Sequence, residues 1–206
     1  MTMQRRYNRR TAMRVKQGKV KRCNRHLPTG LRGYTLDRRS PLRGFRHVVT
    51  KRDVQAFIDI IPDWHQLSER LDRIILTSSR SESDGCYTFY PSDQLSVISL
   101  HAWPRDLWME IPESYFEPHK GVFAELGVAH DKAKETVLCR FTEAQARAFM
   151  LLHVFLHELG HHHDRLRQRD RGSTSGEDYA EDFANERFRQ LYPDYLRVFG
   201  NPAVGR

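Results

Sequence analysis

The sequence predicts an α+β domain: a small antiparallel or mixed sheet packed on one long buried helix and on a second, C-terminal helix. Three observations carry that expectation. Runs of β-branched and aromatic residues, each bounded by turn formers, cluster between Arg73 and Phe141. A stretch of strong helix formers without proline follows from Glu143. A further segment with small and acidic residues on one face begins near Gly176.

In chain order, Thr50 with Asp53 three residues on reads as a capping-box start. Val54, Phe57, Ile58 and Ile61 then mark a short amphipathic helix that Pro62 stops. Asp63 is placed to cap a second helix running to Leu71, with Trp64, Leu67 and Leu71 on its apolar side. Residues 73–77 read as a strand and residues 78–85 as a polar loop. Residues 86–90, 95–103 and 106–111 follow as strands, separated by Pro91-Ser-Asp and Pro104-Arg as the turns of an antiparallel meander. Residues 112–126 read as a helix interrupted by Pro118 and Gly121, and residues 136–141 as a last strand.

The long helix is capped by Thr142 and is apolar on nearly every side from Phe149 to Leu156, so it runs through a core. It then carries His157-Glu158-Leu159-Gly160-His161. Residues four apart lie on one helical face, so His157 and His161 can reach a single zinc ion. Glu158 sits roughly a third of a turn round, where it can touch water at the metal without ligating it.

Ser175 with Asp178 predicts the start of the next helix, whose face of Glu177, Ala180, Glu181, Ala184 and Phe188 presents two carboxylates between small residues. The alanines would let this helix approach the first closely. Either Glu177 or Glu181 is then a candidate third ligand.

His157-Glu-Leu-Gly-His161, a short connection and Glu177-x-x-Ala180-x-x-Phe183-Ala184 together resemble the zincin metallopeptidases of the gluzincin type. The second part is most similar to the ImmA/IrrE-type peptidases and less closely to the HtpX type. The likeness covers about thirty residues near the C-terminus. It implies a zincin-like fold and a zinc site of two histidines and one glutamate, with Glu158 as the base. On that pattern Glu177 is the third ligand and Glu181 orients a ligand histidine. The thermolysin-like spacing, with a glutamate twenty residues after the second histidine, would select Glu181 instead. A metzincin pattern fails, because Asp164 and Arg167 stand where its glycine and third histidine belong. The expected activity is hydrolysis of a peptide or protein substrate by zinc-activated water. In such folds an edge strand beside the active helix pairs with extended substrate.

Charge divides the chain. Residues 1–46 carry fifteen Lys/Arg and one acid, a net +14, while the remainder carries −6. Residues 1–46 therefore read as a basic, disordered extension and residues 47–206 as the domain. Arg5, Arg6, Arg9, Arg10, Lys19, Lys21 and Arg22 are candidates for nucleic-acid contact through counterion release. The competing readings are a solubilising tail, a regulatory peptidase tethered to nucleic acid by that tail, or a zinc-stabilised nucleic-acid-binding module without activity; an intact Glu158 argues against the last. No run approaches the ~20 apolar residues of a membrane span. Three scattered cysteines form neither a disulfide framework nor a zinc ribbon, which makes a reducing cytoplasm the expected setting.

The remaining histidines divide by position. His153, one turn before His157, is expected to pack or to support a ligand, and His162 and His163 to be exposed. His101, His119 and His130 read as satisfied surface or core residues. Asp164 is either a hydrogen-bond partner of a ligand or half of an exposed pair with Arg167. Tyr179, Tyr192 and His130 are the candidates for oxyanion stabilisation.

Overall fold

Residues 74–76, Ile-Ile-Leu, form an apolar run too continuous for a strand with one wet face, and the fold puts them in the interior of a sheet. The computed structural model describes residues 33–78, 83–167 and 176–204, with the backbone alone of residues 15–16 and 19–20. The chain separates into two units at Arg32. In the first, strands β1 (Val15–Lys16) and β2 (Lys19–Val20) pair antiparallel.

The second unit contains a four-stranded mixed sheet of β3 (Thr35–Arg38), β5 (Arg73–Thr77), β7 (Leu95–His101) and β6 (Gly85–Tyr90), in that spatial order. β3, β5 and β7 run parallel, and only β6, at the edge, is antiparallel to its neighbour. A separate antiparallel sheet joins β10 (Ala129–Lys132), β11 (Thr136–Arg140) and β9 (Trp108–Pro112). The small ribbon β4 (Phe45–Arg46) with β8 (Trp103–Pro104) links neither.

Two expectations are corrected here. The strands around residues 86–111 are not one meander: the third pairs with β11 rather than with β7. The folded unit begins at Gly33 rather than at residue 47, because Leu36 and its neighbours extend the sheet alongside β5 despite the surrounding arginines. Short-range charge content hid a strand whose partner lies 38 residues away.

Among the helices, α1 (Lys51–Ile58) has the anticipated box, with Thr50 and Asp53 each capping the other's backbone N–H. α2 (Trp64–Leu67) is shorter than the reading to Leu71. Asp63 makes no cap there; Arg187 holds its carboxylate through two hydrogen bonds of 2.9 and 2.5 Å. α3 (Glu113–Glu125) accommodates Pro118 within it. α4 (Glu143–Phe149) is boxed by Thr142 and Gln145, continues as a π-helical segment (Met150–Phe155) and then as α5 (Leu156–Arg167). α6 (Gly176–Phe199) is the long C-terminal helix; Ser175, the expected cap, lies outside the described residues.

The α4–α5 rod is the centre of the core. All six residues of the π segment are buried. Phe155 meets Phe57 of α1 edge-on, and Phe149 stacks on Phe123 of α3. Burying each such ring contributes about 1.5–3 kcal/mol, so the rod is fixed from several sides before any polar group is placed. Among the described residues no helix is long and apolar enough to cross a membrane.

Candidate metal centre

The two helices that carry the candidate ligands touch almost backbone to backbone. A Cβ on Gly160 would stand 2.9 Å from Ala180 Cα and 3.1 Å from Ala180 O. Only glycine at the fourth position of the motif, opposite alanine, lets α5 and α6 come this close. The approach brings Glu177, one turn before Ala180, over the histidine face.

There, His157 Nε2 lies 3.1 Å from His161 Nε2 and 3.2 Å from Glu177 Oε2, and His161 Nε2 lies 3.6 Å from Glu177 Oε1. Zinc bonds of about 2.0–2.1 Å in a tetrahedron set ligand atoms about 3.3–3.4 Å apart. The two imidazoles and the carboxylate match that spacing and form a donor set zinc accepts. Glu177 is 81 % exposed, so this group opens to solvent on one side.

Glu158 is beside the same group but buried, at 7 % exposure. The room for it comes from β6: a Cβ on Gly85 would fall 2.7 Å from Glu158 Oε1 and 2.7 Å from Val154 Cγ1. Burial pushes its carboxyl up to about 7, and the nearby His157 and a backbone hydrogen bond at Tyr87 offset only part of that. A carboxyl balanced at this level can both take and return a proton near neutral pH.

Glu181, one turn after Glu177, faces inward. Its Oε2 lies 3.3 Å from His157 Nδ1, 3.6 Å from His119 Nε2 and 3.9 Å from His153 Nε2. Although burial alone would raise it, His119 and His157 hold this carboxyl far below the usual carboxylate range. Burial works against a charge on His157, but Glu181, Glu158 and Glu177 together raise its pKa. His161 moves the other way, lowered by burial and by His157. Glu181 thus stands 3.3 Å behind the His157 ring, whose Nδ1 is buried without a hydrogen bond.

Asp164 is 3 % exposed rather than on the surface, and its charge acts on both His161 and Arg167. His162, read as exposed, is buried; Glu69 O lies 3.0 Å from its Nε2 and the Tyr87 hydroxyl 3.3 Å from its Nδ1. His163 is half-buried, with Nδ1 2.8 Å from the Tyr179 hydroxyl. Both lie on helix faces covered by neighbours that a local reading does not see.

The three oxyanion candidates are engaged elsewhere. Tyr179 also accepts from Arg167 at 3.0 Å, Tyr192 donates to Glu125 O at 3.3 Å, and His130 Nδ1 lies 3.3 Å from Val128 O. Tyr115 of α3, which the sequence reading passed over, stacks on His119 with ring centroids 4.2 Å apart. Burial raises its phenol, and the charges of Asp84, Glu181 and Glu158 raise it further. Its signal in the sequence was faint: an aromatic residue four positions before a histidine on a helix interrupted by proline.

Arg5, Arg6, Arg9, Arg10, Lys21 and Arg22 lie outside the described residues, and of Lys19 only the backbone in β2 is described. No family model, curated protein or solved structure matches this chain.

Proposed function

We propose that this chain is a zinc-dependent peptidase in which His157, His161 and Glu177 hold the metal and Glu158 is the general base. The convergence of three ligand atoms beside a buried, intact Glu158 is the observation that carries this reading. The resemblance to gluzincins, stated above on thirty residues, supports the same assignment and a zincin-like fold.

Zinc, when bound there, supplies Lewis acidity to water and to a scissile carbonyl. Glu158 takes a proton from the attacking water at its carboxylate and returns it to the leaving amine. Gly85 leaves the space in which that carboxylate works, and the apolar Val154 beside it limits the water that would otherwise solvate it. Glu181, with Oε2 3.3 Å from His157 Nδ1, places a negative charge behind that ring and would accept from Nδ1 once the ring is turned by an ion at Nε2. β6, unpaired on one side in its sheet, is the strand to which an extended peptide would add. Free thiols at Cys86 and Cys139 support a cytoplasmic setting.

The test is Glu158→Gln, assayed with zinc analysis and with a peptide library read by mass spectrometry. The expected result is unchanged zinc content with cleavage reduced by at least about a hundredfold, in line with the loss of a general base. Cleavage at the wild-type rate would remove Glu158 from the mechanism.

A further inference from the structure

His119 stands on α3, His153 in the π-helical segment and Glu181 on α6, yet their side chains meet at the Nδ1 edge of the His157 ring. We propose that His119, His153 and Glu181 form a second, inner site for a divalent metal of zinc type. It is distinct from the outer group of His157, His161 and Glu177, and it does not depend on the peptidase reading.

The donor set is two imidazoles and one carboxylate oxygen, all within 4.8 Å of one another. Nitrogen and carboxylate donors in that proportion favour zinc and its neighbours over calcium or magnesium, which prefer oxygen alone. Glu181 Oε2 lies 3.6 Å from His119 Nε2 and 3.9 Å from His153 Nε2. For these two pairs, closing on an ion would require a contraction of less than about 0.6 Å.

Each donor is also prepared for the role. His119 Nδ1 lies 2.6 Å from Tyr115 O, which places the ring hydrogen on Nδ1 and leaves the Nε2 lone pair aimed at Glu181. Metal-bound histidines commonly fix their tautomer in this way. Glu181 Oε1 accepts from Asn185 at 3.0 Å, so Oε2 is the oxygen left for the cluster.

His153 is the decisive member. It is 3 % exposed, its Nδ1 has no hydrogen-bond partner, and its Nε2 is too far from Glu181 for a hydrogen bond. An ion seated between Nε2 and Glu181 Oε2 would bridge that 3.9 Å gap and give the inward nitrogen a partner, while Nδ1 on the other side of the ring stays unbonded. An ion there would also tie α3 to the α5–α6 pair. It would fix Glu181, and through it the His157 ring, from behind.

The experiment uses the full chain, stripped of metal by chelation and then titrated with Co²⁺, followed by its visible absorption. Zn²⁺ content after gel filtration is measured in parallel. Wild type is expected to take two equivalents, and His119→Asn, with unchanged circular dichroism, one. His153→Phe, which fills the same buried space, is expected to behave alike. The double variant His157→Ala/His161→Ala is expected to keep one equivalent, held at the inner site. If His119→Asn and His153→Phe bind as many equivalents as wild type, the inner site does not exist. A single equivalent in wild type that is lost in the double variant and kept in His119→Asn also overturns it, while leaving the outer centre intact. A single equivalent lost in His119→Asn and kept in the double variant supports the inner site and removes the outer one.

Discussion

Glu177 and Glu181 are the same residue on the same face of α6, one turn apart, and the fold treats them in opposite ways. Glu177 is 81 % exposed and meets His157 and His161 at their Nε2 atoms, whereas Glu181 is 27 % exposed and meets His157 from behind, at Nδ1. The outer carboxylate can gain and lose partners at little cost, because water replaces them. The inner one is committed, with three imidazoles within 3.9 Å of one oxygen. One turn of helix thus converts a solvent-facing carboxylate into one enclosed by imidazoles. Depth below the surface, rather than residue type, makes the difference.

The largest expected effect comes from exchanging the two. Glu177→Gln should weaken zinc binding at the outer centre by more than about a hundredfold, because a neutral amide replaces the one anionic donor. Glu181→Gln should cost about 10–100-fold in affinity there, as an orienting group does. A zinc titration of both variants, with His119→Asn as background to silence the inner cluster, checks the ranking. The reverse order would make Glu181 the outer ligand, as the thermolysin-like spacing has it.

Both carboxylates depend on the contact between α5 and α6, so Gly160→Ala sharpens the comparison next. The new methyl would meet Ala180 backbone, which cannot rotate away. The helices must separate, at an expected cost of about 1–3 kcal/mol in chemical denaturation. Zinc affinity should fall with it. A variant of wild-type stability and affinity would show that the close crossing does not set the Glu177–His157 distance.

Gly85→Ala makes a subtler break. Its methyl would meet the end of the Glu158 side chain, which can swing aside, and a Val154 methyl. Stability should change by less than about 1.5 kcal/mol while the base is displaced. The expected result is retained zinc with lower kcat, seen by paired metal analysis and cleavage assay. Unchanged kcat would separate Gly85 from the positioning of Glu158.

The smallest effect concerns a histidine that belongs to neither histidine–glutamate group. His101 is buried with Nδ1 2.6 Å from Ser83 O, and burial lowers its pKa. An unfolded chain protonates this residue near its ordinary value of about 6.5, whereas the folded chain resists until lower pH. Between those two values the unfolded state binds more protons, so stability falls as pH drops below about 6.5. The slope from this one residue is at most about 1.4 kcal/mol per pH unit. Urea unfolding of wild type and His101→Gln from pH 7.5 to 5 should show a shallower decline in the variant. Parallel curves would remove His101 as a source of acid sensitivity.

What could be read from the sequence was what depends on neighbours within a turn or two. The capping box at Thr50, the N-cap at Thr142, the strands at 73–77 and 136–140 and the shared face of His157 and His161 follow from spacing alone. The small residues of α6 made it legible that a carboxylate, Glu177 or Glu181, approaches that face, and the choice of Glu177 came only from the resemblance. Parallel pairing of β3 with β5 was not legible, since it joins segments whose local composition disagrees. Nor was the inner cluster. His119 reaches Glu181 from 62 positions away, on a helix whose proline and glycine spoil its periodicity. His162 looked free for the same reason: Glu69 O and Tyr87, which cover it, belong to other elements.

The π-helical turn before the motif makes the histidine face a matter of phase. Its hydrogen bonds span five residues instead of four, so the chain spends an extra residue there without advancing the rod by a full α-helical step. Because every residue of Met150–Phe155 is apolar or buried, the core would accept many ways of filling that turn. The orientation of everything downstream would not. Were the segment to relax into an ordinary helix with all six of its residues kept, His157, Glu158 and His161 would rotate together by about 100°. Three side chains would keep their mutual spacing and lose Glu177, Gly85 and Glu181 at once. The widened turn therefore acts as a fixed angular offset between the part of the rod that holds the protein together and the part that faces its chemistry.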